Sequence, residues 1–141
     1  MNKKFWISGL VLGIASLLLG FLVHAVLLDG DYAKLPNLFR SEADAGKHFP
    51  FMLLAHLLTG LGMTWMYRRA GPSTDRPFVM HGLSFGIGLA LLVTAPMYLI
   101  YYAVQPMPGA VVVKQIVLDT AGVVLLGILA AWMNRPGPRH S

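Results

Sequence analysis

Ala110-Val-Val-Val-Lys-Gln-Ile-Val-Leu-Asp-Thr-Ala-Gly-Val-Val-Leu-Leu-Gly-Ile-Leu-Ala-Ala-Trp-Met133 is apolar throughout except for a few polar positions, Lys114, Gln115, Asp119 and Thr120. About 20 apolar residues in a helix cross the ~30 Å hydrocarbon core of a bilayer. The stretch therefore reads as a membrane span. Three others precede it, at about Phe5–Leu28, Pro50–Tyr67 and Phe78–Val104. Aromatic residues near several ends (Phe5-Trp6, Trp65, Tyr67, Tyr101-Tyr102, Trp132) fit an interfacial belt.

Composition agrees. The chain has 141 residues, 56% hydrophobic and 12% charged, whereas a soluble domain averages about 25% charged. One domain spanning residues 1–141 is expected, an all-α integral membrane bundle of four helices in up-down order. The net charge of +5 does not point to nucleic acid, because the basic residues flank apolar runs in pairs instead of forming a patch. With no cysteine, disulfides, thiol catalysis and Cys-ligated clusters are excluded.

Lys3, Lys4, Arg68, Arg69, Arg76, Arg135 and Arg139 fall on one side, and Lys34, Arg40, Lys47 and Lys114 on the other. That bias places both termini in the cytoplasm. Val23-His24-Ala25 fits a signal-peptidase site, but the apolar run before it is about 19 residues, longer than the 7–15 typical of a signal peptide. An uncleaved first span is expected. In the first loop, from Asp29 to Phe49, Ser41-Glu-Ala-Asp44 could cap a short surface helix.

Gly9, Gly13, Ser16, Gly20 and His24 share one face of span one, and Gly82 and Gly86 share one of span three. Small residues let helix backbones approach in lipid, so both stripes predict helix–helix contacts.

Asp119 is the costly residue, since an ionisable group inside a span suggests a site with a partner. At 1.5 Å per residue, His24 lies about 6 Å, His56 about 9 Å, Tyr98 about 9 Å and Asp119 about 14 Å from the outer ends of their helices. Lys114, Gln115 and Gln105 lie nearer the outer boundary. These seven form the candidate ligand-binding set, in the outer half of the bundle. The inner half shows no comparable cluster, with His81 alone near Arg76.

Four uses of this set follow from residue type. The groups can bond one another and hold the helices in register. His24, His56 and Asp119 have the donors for a divalent metal, and the two histidines could clamp a haem b. With Tyr98, Tyr101, Tyr102 and Gln105 as a wall, the same groups could receive a quinone or another small amphipathic molecule. Intramembrane carboxylates and histidines also relay protons, which would suit a small proton- or metal-coupled transporter working as an oligomer. Turnover is not expected, for no nucleophile is evident: Ser8, Ser16 and Ser84 lie toward the other side, and Thr120 faces away from Asp119.

Ala90-Leu-Leu-Val-Thr-Ala-Pro-Met-Tyr-Leu-Ile-Tyr-Tyr-Ala-Val-Gln-Pro-Met-Pro-Gly109 with Lys114-Gln115-Ile116, together with His24 and Ala55-His56, resembles small uncharacterised bacterial four-helix inner-membrane proteins. The resemblance implies a multi-pass inner-membrane location. It implies no activity or cofactor. The expected role is small-molecule binding or accessory and assembly work, with the lipid bilayer and a second copy or membrane-complex subunit as partners.

Overall fold

A computed structural model describes residues 2–71 and 75–136. Its regular structure there is helical throughout. Four helices are long and apolar enough to cross a membrane: span one Lys3–Leu27, span two Glu42–Ala70, span three Phe78–Val104 and span four Gly109–Met133. Pro72, Ser73 and Thr74 of the loop between spans two and three, and Arg139 of the charge count, lie outside the described residues.

Span two begins at Glu42, well before the expected Pro50. Ser41 caps it, its hydroxyl accepting from Asp44 N at 3.3 Å. The expected surface helix after Ser41 is therefore the first turn of span two. Pro50 sits inside, where it removes one helical hydrogen bond without ending the helix. At the far end Gly71, with φ 80°, takes the left-handed conformation that closes a helix cheaply only for glycine.

The spans pack as two antiparallel hairpins. Spans one and two cross backbone to backbone: a Cβ on Gly60 would lie 2.1 Å from Gly9 O and 2.3 Å from Gly13 N. Spans three and four cross likewise, where a Cβ on Gly127 would lie 2.4 Å from Gly82 O and 2.9 Å from Gly86 N. Both predicted glycine stripes thus form close contacts, answered by Gly60 and Gly127. Span four also packs on span one and joins the hairpins.

Leu12, Met63, Tyr67, Leu126, Ala130 and Ala131 form the core in the half nearer the termini. That half also holds a polar cluster, contrary to expectation. Ser8 Oγ accepts from Asn134 Nδ2 at 2.9 Å and from Thr64 Oγ1 at 3.3 Å, so three spans meet at buried polar groups. Small polar residues pass unnoticed in sequence because they also suit close helix packing. A second core of Tyr98, Met107, Val111 and Val112 lies toward the opposite end, with Tyr32 and Leu38 of the first loop packed on it. Elsewhere the helices present apolar faces outward; Phe51 and Leu91 are each 70% exposed.

Two spans are not uniformly α-helical. Leu22–Leu27 of span one and Ala90–Thr94 of span three are π-helical. The second lies just before Pro96, so a wide turn accommodates the missing proline N–H. Both wide turns adjoin the site described next.

Candidate functional site

Five side chains from three spans and one loop form a continuous hydrogen-bond network. Asp119 of span four accepts on Oδ2 from the Tyr98 hydroxyl and from His24 Nε2, the latter at 3.2 Å. Tyr98 Oη is also 3.4 Å from His24 Nε2. On the other edge of the imidazole, His24 Nδ1 is 2.7 Å from Tyr32 Oη. Gln115 Nε2 donates to Tyr32 Oη at 3.0 Å.

The donor roles are mutually consistent. Tyr32 Oη receives one N–H from Gln115, and the direction of its bond to His24 Nδ1 follows the imidazole tautomer. The tautomer with its proton on Nε2 lets Tyr32 donate to Nδ1 and His24 donate to Asp119. Asp119 ends the network, reached directly by Tyr98 and through Tyr32 and His24 from Gln115.

Local sequence explains these positions. Gln115 and Asp119 are four apart on span four and share a face. Tyr98 follows the π-helical turn of span three and is only 9% exposed. His24 lies within the π-helical turn of span one. Strict α-periodicity would stack it above Gly20, facing span two. In the structure its Nε2 meets Asp119 of span four. Tyr32 ends the short helix Asp29–Tyr32. Its ring stacks on His24 at 6.0 Å between centroids and touches Phe39 at 4.8 Å. Lys114 anchors this helix by donating to Asp31 at 2.8 Å.

Of the seven expected site residues, the structure brings four together: His24, Tyr98, Gln115 and Asp119. His56 is placed apart. Its Nδ1 is 2.7 Å from Ser16 Oγ, and its ring lies over bare Gly20. Depth gave its height but not its direction around the helix axis. Lys114 serves Asp31 instead of Asp119. Gln105 is exposed beyond the end of span three, its backbone N–H closing the last turn on Tyr101 O. Tyr101 and Tyr102 are exposed, at 44% and 50%. Tyr32 is the member that sequence reasoning missed. A tyrosine just after an Asp-Gly-Asp turn looks like part of a solvated loop.

Among the described residues no three His, Asp or Glu side chains converge as a metal-binding group. The suggested trio of His24, His56 and Asp119 is not assembled, because His56 faces Ser16. Nor do the two histidines share an iron position, since both ring nitrogens of His24 face Tyr32, Tyr98 and Asp119.

The network is not sealed. The side chain of His24 is 37% exposed and that of Asp119 is 21% exposed. Gln115, by contrast, is only 4% exposed. Its Oε1 is buried and has no hydrogen-bond partner among the described residues. Tyr32 lies outside the spans; burial pushes its hydroxyl above the ordinary tyrosine range, Asp119 and Asp31 add to this, and the Gln115 bond acts against it.

Comparison with known proteins identifies no relative: no family model, no curated protein and no solved structure matches this chain.

Proposed function

We propose that this chain is a multi-pass membrane protein that binds a small amphipathic molecule at the Asp119 network. The location proposed is the bacterial inner membrane, with both termini in the cytoplasm and the network in the periplasmic half, as the Lys and Arg distribution supports.

The observation that carries the reading is Gln115 together with its neighbour. A buried amide oxygen without a partner costs about 1–3 kcal/mol; Asn134 Oδ1 and His81 Nε2 are also buried without one among the described residues, but Gln115 stands one helical turn from a partly exposed carboxylate. Beside it stands Asp119, with one oxygen used twice and the other not used by any described residue. Register alone would explain a closed network. This one presents acceptors next to a partly open carboxylate and imidazole, within apolar spans. Such an arrangement, few polar groups among apolar walls, is how small-molecule sites are commonly built.

A conduit is less well supported. Along span four the network and the Ser8–Thr64–Asn134 cluster are 15 residues apart, about 22 Å, with the apolar core of Leu12, Met63 and Leu126 in the terminal half. Ser16 and His56 offer one polar step between them, the His56 ring lying over Gly20 about 6 Å along span one from His24, but a gap of about 12 Å separates Ser16 from Ser8.

The test is thermal. Protein stripped of small molecules and placed in synthetic lipid should melt lower than the same protein given an extract of its native membrane. Gln115→Leu should melt alike with and without the extract. Wild-type protein indifferent to the extract would overturn the reading.

A further inference from the structure

The hydrogen-bond inventory of the site says what kind of headgroup it can take. The Tyr32 and Tyr98 hydroxyls and both ring nitrogens of His24 are all engaged inside the network. What remains is acceptor: Asp119 Oδ1, and Gln115 Oε1 one helical turn away. Residues four apart on a helix have Cβ atoms about 5–6 Å from each other, so one headgroup with several donors can address both.

Charge points the same way. Lys114 is the cation nearest in sequence, and it is committed to Asp31. His24 and Tyr98 both meet Asp119 at the same oxygen, Oδ2, and leave Oδ1 without a partner among the described residues. No lysine or arginine pairs with Asp119 there. A carboxylate within a span is costly unless paired. Anionic heads would be repelled, and carbonyl heads, including that of an oxidised quinone, would find the strong donors already occupied.

We infer that the Asp119–Gln115 site selects a protonated amine carried on an apolar body, the ammonium bridging Asp119 Oδ1 and Gln115 Oε1 beside His24. The ammonium supplies several donors and a full positive charge, and its apolar body lies against the exposed apolar faces around the site. This rests on the binding function proposed above and narrows its ligand class.

The experiment uses the full chain in nanodiscs and a set of probes equal in shape but different in head: adamantylamine, adamantanol, adamantanone and adamantanecarboxylate. Binding is read from the side-chain amide signal of Gln115 and the ring nitrogen signals of His24. The amine should bind about tenfold more tightly than the alcohol, the margin between a charge-assisted and a neutral hydrogen bond. The ketone and the carboxylate should be weaker still. Asp119→Asn, which keeps the size and an acceptor oxygen, should remove the preference for the amine. An alcohol equal to the amine, a preference for the ketone or carboxylate, or an amine preference that survives Asp119→Asn would each overturn the inference. So would no binding by any probe. If the membrane extract still raised the melting temperature, the binding function would stand without the amine.

Discussion

Tyr32 and His24, one in a loop and the other in span one, are joined by a 2.7 Å hydrogen bond between Tyr32 Oη and His24 Nδ1. The loop residue thereby holds the ring of a histidine whose opposite nitrogen faces Asp119. A carboxylate inside span four is thus oriented from outside the spans.

Removing the Tyr32 hydroxyl should leave His24 Nδ1 and Gln115 Nε2 without this partner. Tyr32→Phe is expected to lower stability by about 0.5–1.5 kcal/mol, the net value of such a bond. His24→Ala should cost a similar amount or more. Because the two side chains share one network, the double variant should lose less than the sum. Equilibrium unfolding of the four proteins of this cycle in mild detergent checks it; additive losses would show that the bond contributes nothing.

The alkaline limit should depend on Tyr32. Its folded-state value is raised by burial, then by Asp119 and Asp31. A raised value means that its contribution to stability is complete below the range of free tyrosine. It is lost as the pH climbs through the folded-state value. Unfolding free energy should therefore fall less steeply at alkaline pH in Tyr32→Phe than in the wild type. Equal slopes would place Tyr32 in contact with water.

Two glycines of span two should respond with opposite sign. A Cβ at Gly60 would collide with the backbone of Gly9 and Gly13, whereas at Gly62 nothing lies within 4 Å. Gly60→Ala must push spans one and two apart, with an overpacking cost of about 1–3 kcal/mol. Gly62→Ala should be neutral or stabilising by up to about 1 kcal/mol, through helix propensity. Unfolding of the two variants side by side decides the matter.

Much of this was legible in the sequence. The spans follow from apolar length. The Gly9–Gly13 and Gly82–Gly86 contacts follow from helical spacing, as does the pairing of Gln115 with Asp119 on one face. Depth also brought His24 and Tyr98 to Asp119. It failed for His56, because rise along a helix fixes height and not azimuth. The π-helical turn at Leu22–Leu27, which contains His24, has no signature in the local pattern. Tyr32 was hidden because loop placement depends on distant partners, here Gln115, the Lys114–Asp31 pair and the apolar cluster around Met107. Span two began early because Ser41 and Glu42 start a helix that continues through Pro50.

Orientation is open to a direct check, since the chain has no cysteine. With the termini in the cytoplasm, Glu42→Cys should react with a membrane-impermeant maleimide on spheroplasts. Arg76→Cys should react only after lysis. The reverse pattern would invert the topology and place the Asp119 network in the cytoplasmic half.

The central claim is that Gln115 and Asp119 hold a molecule and do not merely hold helices. Native mass spectrometry of the chain released from its own membrane tests it most directly. The wild type should carry one small amphipathic molecule per chain, and Gln115→Leu and Asp119→Asn should each lose it while remaining folded. A wild-type mass equal to that of the bare polypeptide, or an adduct retained unchanged in both variants, would contradict the account.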